Sequence, residues 1–115
     1  MSFANRASAK VFRDKLEIPV IQGGMGVGIS MGKLAGSVAA CGGMGVISTA
    51  LIGFREEDFY QNHVEADVRA LRKEIQIAKE IANGRGMIAI NAMTVTTDYR
   101  ECIEAAVREG IDAII

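Results

Sequence analysis

Apolar positions along the chain gather in four short, nearly continuous runs separated by longer amphipathic stretches. The runs are IPVIQ at 18–22, MGVIST at 44–49, MIAINAMTV at 87–95 and IDAII at 111–115. Continuous apolar runs of this length are typical of parallel strands that are buried on both faces. We therefore predict four strands, the first of which opens at Pro19, where a strand tolerates a missing N–H.

The stretch between the first two runs predicts a helix that is rich in small residues. Ser30 is a candidate N-cap, and Gly42 or Gly43 would end the helix. One face of this helix consists of Gly32, Ala35, Gly36 and Ala39. Such a smooth face lets a helix approach a sheet closely, at some cost in helix propensity.

The second amphipathic stretch predicts a long surface helix from Glu56 to Asn83. Acidic residues crowd its beginning, and Asn83 with Gly84 would end it. Its apolar residues recur at alternating steps of four and three: Val64, Val68, Leu71, Ile75, Ala78 and Ala82. This spacing places them in one stripe, which would face the core.

A third helix is predicted over residues 98–110. Asp98 or Thr97 would cap its start, and Gly110 would end it. Its inward positions are Cys102, Ala105 and Ala106.

The N-terminal region, residues 1–17, is predicted to form a short helix or turn with a structural, packing role. Apolar residues fall near helical spacing at Val11, Phe12, Leu16 and Ile18. The region mixes charges throughout and lacks the apolar centre of a signal peptide, and no later run approaches the length of a membrane span. We therefore expect a cytoplasmic protein.

The predicted order is β-α-β-α-β-α-β, which defines an α/β fold made of right-handed parallel βαβ units. Two architectures compete for this order: a doubly wound open sheet, or part of a (β/α)8 barrel, which usually needs about 250 residues. On the barrel interpretation, residues 18–115 form the first three βα units and the start of a fourth strand.

A dinucleotide-binding sheet places specific demands on the first strand-to-helix turn. That turn should read GxGxxG, and the second strand should end in an acid that holds a ribose hydroxyl. Here Gly24 and Gly26 are followed by Ile29 at the third glycine position, and the second strand runs into Ser48 and Thr49 with no carboxylate. These departures favour the barrel.

Composition and charge narrow the class of partner. Half of the 115 residues are apolar, which is typical of a single globular domain with a core. The 14 acidic residues nearly balance 13 basic ones, so no positive field is available for nucleic acid or an anionic membrane. We expect a small-molecule substrate rather than a polymer.

Metal-ligating residue types are few and scattered. Cys41 and Cys102 lie far apart in helix-like stretches, and both are expected to be buried thiols. His63 is the one histidine, and it is expected to be solvated or to cap the long helix. Because no His/Cys/Asp cluster has the spacing of a ligand set, we expect no metal site.

The motif GGMGV occurs twice, at residues 23–27 and 42–46. The first copy follows the first strand, where function sits in a barrel, and four glycines crowd residues 23–28. A bare turn needs only one or two glycines, so we favour a loop whose backbone approaches a flat ligand. The second copy precedes the second strand at the opposite rim, where its glycines would end a helix.

Asn91 interrupts the third apolar run near its carboxyl end. A buried amide that lacks a partner costs roughly 1–3 kcal/mol. Either a neighbouring loop satisfies this amide or it contacts a ligand edge, and the sequence leaves both interpretations open.

The segments IPVIQGGMGVGISMGKLAGSVAACGGMGVIST and IAINAM together resemble the amino-terminal part of a flavoprotein family. That family comprises the flavin-dependent nitronate monooxygenases, formerly called 2-nitropropane dioxygenases, and the related flavin-dependent enoyl-acyl-carrier-protein reductases. The resemblance runs from about Ile18 to the last residue. It implies a (β/α)8 TIM barrel with FMN across the carboxyl ends of its strands.

Site residues follow from the resemblance by position. Gly24, Met25 and Gly26 would form the loop along the flavin ring, and Asn91 matches a family asparagine that contacts the flavin. Gly26 departs from several relatives, which have alanine there. The family's catalytic histidine and phosphate-binding loops belong to later strands, beyond Ile115, so the catalytic residues stay unknown.

The resemblance implies one of two reactions. A nitronate monooxygenase oxidatively denitrifies alkyl nitronates with FMN and O2, and this is the leading hypothesis. The reductases instead use NAD(P)H to reduce an enoyl thioester, which is the alternative.

A chain that stops inside IDAII would leave its first and fourth strands as apolar edges. We therefore expect a fragment, a truncated gene product or the ordered part of a longer protein, and we do not expect the chain as given to be a competent enzyme. Pairing of the open edges would make it a homo-oligomer. Two further hypotheses are a non-catalytic half-barrel that acts as an assembly or binding module, and a phosphate-binding barrel without flavin.

Overall fold

The computed structural model describes Lys10 and residues 12–115, which form an α/β domain. In chain order its elements are α1 (Gly32–Ala40), β1 (Met44–Ser48), α2 (His63–Ala82), β2 (Met87–Asn91), α3 (Tyr99–Arg108) and β3 (Ala113–Ile114). Residues 12–15 are also helical, as predicted for the N-terminal region. The rest of that predicted helix, before Lys10 and at Val11, lies outside the described residues.

The three strands form one parallel sheet in the order β1-β2-β3. Its register pairs Met44 with Met87 and Ser48 with Asn91, so the two strands end at the same level. We call this end of the sheet the carboxyl rim and the opposite end the amino rim. The α/β prediction is confirmed in these elements, although the strand over 87–95 ends at Asn91.

The first predicted strand, residues 18–22, is reduced to one bridge between Ile21 and Met44. Only two backbone hydrogen bonds tie it to β1, from Met44 N to Val20 O at 2.9 Å and from Gln22 N to Met44 O at 3.0 Å. Ile18, Val20 and Ile21 are about half exposed, so the expected burial on both faces is wrong for this run. Pairing stops after Gln22 because the chain turns into the glycine-rich segment.

The sheet has two different faces because side chains alternate along each strand. On the helical face, Ile47, Ile88 and Ile90 pack against residues of α1, α2 and α3. We call the other face the inner face, on which Met44, Val46, Met87 and Ala89 form a separate buried cluster. Helices α1, α2 and α3 therefore pack on one side of a sheet whose strands follow in chain order.

Small residues set the spacing between α1 and its neighbours. A Cβ at Gly45 in β1 would lie 1.9 Å from the carbonyl oxygen of Ala35, so α1 lies directly on the strand. A Cβ at Gly36 would lie 2.8 Å from the carbonyl oxygen of Ala78 in α2. The small residues predicted to meet the sheet therefore contact two different elements. Ala35 contacts β1, whereas Gly32 and Gly36 contact α2.

The N-terminal segment crosses the amino rim. Glu17 N donates to Gly42 O at 3.0 Å, and the Glu17 carboxylate accepts from Arg85 at 2.7 Å. Lys15 Nζ pairs with Asp112 Oδ1 at 2.5 Å, and Leu16 packs on the inner cluster. Residues 15–17 are therefore held against the amino rim of the domain.

The long helix α2 begins at His63 rather than at Glu56. Residues 50–62 form turns in which Glu56 and Asp58 both pair with Arg69, at 3.0 and 2.5 Å. This pairing folds the acidic segment back beside the helix instead of extending it. The predicted end is confirmed, since Asn83 has φ of 49° and Gly84 has φ of 82°.

The two cysteines differ in environment. Cys102 is buried, together with Ala105 and Ala106, as predicted for α3. Cys41 is exposed at the end of α1, so its predicted burial is wrong. Because the helix stops at Ala40, Cys41 lies in the turn that leads to the glycines instead of on a packed face.

Among the helices of the described residues, none combines the length and the apolar character that crossing a membrane requires.

Candidate functional site

The glycine loop, residues 23–28, lies at the carboxyl rim and is fastened by Ser30. The Ser30 hydroxyl accepts a hydrogen bond from Met25 N at 2.9 Å and donates to Gly23 O at 3.3 Å. Ser30 is only 1% exposed. Its predicted role as N-cap is wrong, because Met31 occupies that position and the hydroxyl is engaged by the loop instead.

Gln22 joins the loop to the sheet. Its side-chain carbonyl accepts from Val46 N at 3.0 Å, and its side-chain NH2 donates to Val46 O at 3.0 Å. The same NH2 group also lies 3.1 Å from Ser30 Oγ and 3.1 Å from Gly23 O. The start of the loop is therefore held to the edge of β1 by the side chain of Gln22, a residue that was not among the predicted site residues.

Gly24 and Gly26 lie in close contact with the ends of the strands. A Cβ at Gly24 would lie 2.7 Å from Asn91 Cβ, and one at Gly26 would lie 2.9 Å from Ala50 Cβ. Any larger residue would have to lift the loop off the carboxyl rim. The fold therefore brings three of the predicted site residues, Gly24, Gly26 and Asn91, into one place.

Asn91 is the last residue of β2, and its side chain is on the inner face, two positions beyond Ala89. Its backbone oxygen accepts from Thr49 N at 3.0 Å and from Thr49 Oγ1 at 3.1 Å. The side-chain amide, by contrast, makes no hydrogen bond within residues 12–115. A Cβ at Gly24 would also lie 3.3 Å from Asn91 Cγ, so the backbone of the glycine loop runs beside the amide group itself.

Apolar side chains of the glycine loop are turned to the outside. Met25 is 62% exposed and Val27 is exposed as well, as is Ile29 directly after the loop. Exposed apolar side chains at the carboxyl rim offer a contact surface to a flat, apolar ligand. Met25 thus has the exposure that its predicted role requires, with little part in the packing of the domain.

The two copies of GGMGV lie at opposite rims, as predicted. Gly24 contacts Asn91 at the carboxyl rim, whereas Gly43 O accepts from Met87 N at the amino rim. Gly42, with φ of 94°, follows α1 and enables the turn into β1. The same five-residue sequence therefore forms a loop over the strand ends in one place, and the turn from α1 into β1 in the other.

A second cluster, which the sequence analysis did not anticipate, lies on the helical side of the carboxyl rim. One ligand atom from each of His63, Asp67 and Asp98 lies within 4.8 Å of the other two. His63 and Asp67 share a face of α2 because they are four residues apart. That spacing was the available signal, but Asp98 is remote in sequence and joins them only through the fold.

Hydrogen bonds hold the two carboxylates of this cluster in place. Asp67 Oδ1 accepts from Gly53 N at 2.6 Å, and Asp98 Oδ2 accepts from the Cys102 thiol at 3.2 Å. Asp98 occupies the predicted N-cap position of α3, yet its side chain makes no capping bond. His63 does not cap α2 either, since Asn62 is in that position and His63 Nε2 lies 3.1 Å from Thr97 Oγ1.

Burial changes the acidity of this cluster. Loss of solvation raises the pKa of Asp67 from 3.8 to about 6, and the neighbouring carboxyl of Asp98 acts in the same direction. Burial also raises the pKa of the Cys102 thiol, again reinforced by Asp98. The cluster is therefore a place where negative charge is costly unless a proton or a cation neutralises it.

Comparison of the chain with protein-family models, with curated proteins and with solved structures finds no match. The case for a function therefore rests on the residues and on their arrangement at the carboxyl rim.

Proposed function

We propose that this chain is the amino-terminal, flavin-binding part of a (β/α)8-barrel oxidoreductase that uses FMN and O2 to denitrify alkyl nitronates. One observation carries the proposal. The glycine loop lies with its backbone directly against Asn91, on the inner face, at the carboxyl rim. Active sites of barrel enzymes occur at this end of the strands.

The barrel interpretation is supported by the way in which the elements are wound. In a doubly wound sheet, helices cover both faces and the strand order reverses at a switch point. Here the order is sequential and the helices share one face, which is the arrangement of successive units in a (β/α)8 barrel. Residues 20–22 extend this order by pairing with the free side of β1.

The residues at the carboxyl rim fit a flat, polar-edged ring. Gly24 and Gly26 have no side chain that would hold such a ring away from the backbone, and Met25 offers an exposed apolar surface. The amide of Asn91 supplies both a donor and an acceptor to the edge of the ring. FMN, when bound, would supply the electron transfer, while these groups fix its position.

Gln22 and Ser30 would keep the loop in its binding conformation before the ligand arrives. Their hydrogen bonds to Gly23 O, Val46 and Met25 N involve only protein groups, so they persist without ligand. A preformed loop lowers the conformational entropy that binding must offset. Both residues therefore act by positioning the loop, not by contacting the flavin.

The test is a titration of the chain with FMN, followed by the change in flavin fluorescence. Met25→Ala should weaken binding roughly tenfold, or about 1.4 kcal/mol, which is within the range expected for burying part of a methionine. Val107→Ala is the matched control, because Val107 is 58% exposed near the end of α3, the end opposite to the carboxyl rim. Equal affinities for the two variants, or no binding by the parent chain, would contradict the proposal.

A second measurement separates the reaction types in any longer protein that carries this sequence. Oxygen consumption with an alkyl nitronate, without a nicotinamide cofactor, is the result expected for the denitrifying enzyme. Oxidation of NAD(P)H that depends on an enoyl thioester would instead identify the reductase. Retention of a phosphorylated ligand without a visible flavin spectrum would point to a barrel without FMN.

A further inference from the structure

The cluster of His63, Asp67 and Asp98 lies on the helical face, whereas the glycine loop and Asn91 belong to the inner face. The proposed flavin chemistry makes no use of this cluster. Its residues come from the start of α2 and from the position directly before α3. A ligand bound at this cluster would therefore connect the start of α2 to the start of α3 at the carboxyl rim.

The two carboxylates are buried with little to balance their charge. Asp67 is 1% exposed and Asp98 is 4% exposed. Neither forms an ion pair with a lysine or arginine in the part of the chain that the structure describes. Buried charges are ordinarily paired with a countercharge or coordinated to a metal, because removing them from water is costly.

The cluster offers the kinds of ligand atom that metal sites use. The imidazole of His63 contributes nitrogen and the two aspartates contribute oxygen, and their ligand atoms already lie within 4.8 Å of one another. A tetrahedral Zn²⁺ with bonds of about 2.0–2.2 Å separates its ligands by roughly 3.3–3.6 Å, so small side-chain adjustments suffice. Imidazole favours transition metals over Mg²⁺ and Ca²⁺.

We propose that His63, Asp67 and Asp98 bind one divalent transition-metal ion of the Zn²⁺ type. The ion links the start of α2 to the segment that precedes α3. Gly53 N fixes Asp67, and the Cys102 thiol fixes Asp98, so each carboxylate is oriented by a second partner.

Charge balance supports this assignment despite one opposing effect. The positive ends of α2 and α3 disfavour a nearby cation, but each such effect is typically about 0.3–1 kcal/mol. Two carboxylates at direct ligand distance neutralise a divalent ion completely, and a buried pair interacts more strongly than a helix dipole. The net field at the cluster therefore favours the metal.

The experiment is a calorimetric titration of the chelator-treated chain with ZnCl2. We expect one Zn²⁺ per chain, and an affinity that falls at least about tenfold in His63→Ala and in Asp67→Asn. Glu65→Gln is the matched control, since this exposed acid lies on the same turn of α2 and outside the cluster. Its affinity should equal that of the parent chain.

Two further measurements keep the outcome decisive. Circular dichroism shows whether each variant is folded, and Co²⁺ loaded in place of Zn²⁺ should give the visible absorption of a low-symmetry site. Excess MgCl2 should not displace the bound metal. No heat of binding to the folded parent chain, equal affinity in His63→Ala, or displacement by Mg²⁺ would each overturn the proposal.

Discussion

The side-chain amide of Gln22 makes both hydrogen bonds with the backbone of Val46 that a neighbouring strand would otherwise make. Its oxygen accepts from Val46 N and its nitrogen donates to Val46 O, each at 3.0 Å. Backbone pairing ends one step earlier, where Gln22 N donates to Met44 O. A side chain thus continues the ladder while the backbone turns away into the glycine loop.

Replacement of Gln22 by alanine should therefore destabilise both the sheet edge and the loop. Val46 is fully buried, and its N–H and C=O would lose their partners, at an expected cost of about 1–3 kcal/mol. Urea denaturation measures the loss, and hydrogen exchange at the Val46 amide should accelerate. Gln61→Ala, which alters an exposed loop glutamine, should change neither; equal stability of the two variants would contradict the assigned role of Gln22.

The contact between Gly45 and Ala35 leads to a second prediction. Since a Cβ at Gly45 would lie 1.9 Å from the carbonyl oxygen of Ala35, Gly45→Ala must push α1 away from β1. We expect a loss of about 3 kcal/mol, at the upper end of the usual range for overpacking. Gly23→Ala is the control, because nothing lies within 4 Å of the added methyl group; it should shift the unfolding free energy by less than about 0.5 kcal/mol.

The two thiols should react at very different rates. Cys41 is exposed, whereas Cys102 is 1% exposed and the pKa of its thiol is raised by burial and by Asp98. Because the thiolate is the reactive form, a disulfide reagent should modify Cys41 promptly and Cys102 only after denaturation. Cys41→Ser should abolish the prompt phase, and a prompt phase that survives this substitution would show that Cys102 is accessible.

The two GGMGV motifs should respond differently to the same substitution. Gly24→Ala places a methyl group 2.7 Å from Asn91 Cβ, so it should displace that side chain and weaken FMN binding. Gly43→Ala meets Val20 O at 3.1 Å at the other rim, so it should chiefly lower the melting temperature. Flavin affinity measured on the folded fraction separates the two effects, and an equal loss of affinity in both variants would refute the assignment of rims.

The parts of the fold that could be predicted from the sequence are those governed by local periodicity. The apolar runs that contain Val46 and Ala89 became β1 and β2, and the stripe through Leu71 and Ile75 became the buried face of α2. In each case, the residue spacing alone determines which side chains share a face. The first run failed this rule because its pairing depends on a glycine loop and on Gln22, which periodicity does not describe.

In the candidate sites, too, features set by local sequence could be predicted, and those set by tertiary contacts could not. Gly24 and Asn91 could be placed together because Gly24 follows one predicted strand and Asn91 lies near the carboxyl end of another, and the carboxyl ends of parallel strands meet at one rim. The environment of Ser30 could not be foreseen, since a serine before a helix usually caps it. Nor could Asp98 be assigned to His63, because a contact across more than thirty residues depends on how α2 and α3 pack.

Asp67 should make the stability of the metal-free protein depend on pH in an unusual direction. Its pKa is raised from 3.8 to about 6, mainly by burial and also by Asp98, so the folded state retains a proton that the unfolded state has released. The free energy of unfolding should therefore fall as the pH rises through this window. At 1.36 kcal/mol per unit the penalty reaches the order of 2–3 kcal/mol above about pH 6.

Asp67→Asn should remove that penalty, since a neutral amide can still accept from Gly53 N. In urea denaturation of chelator-treated protein, the variant should be more stable than the parent near neutral pH and equal to it near pH 4. Asp58→Asn provides the opposite control, because hydrogen bonding to Arg69 lowers the pKa of Asp58. That substitution should cost stability at neutral pH and lose its effect in acid, and parallel pH profiles for the two variants would show that Asp67 is not a neutral, buried acid.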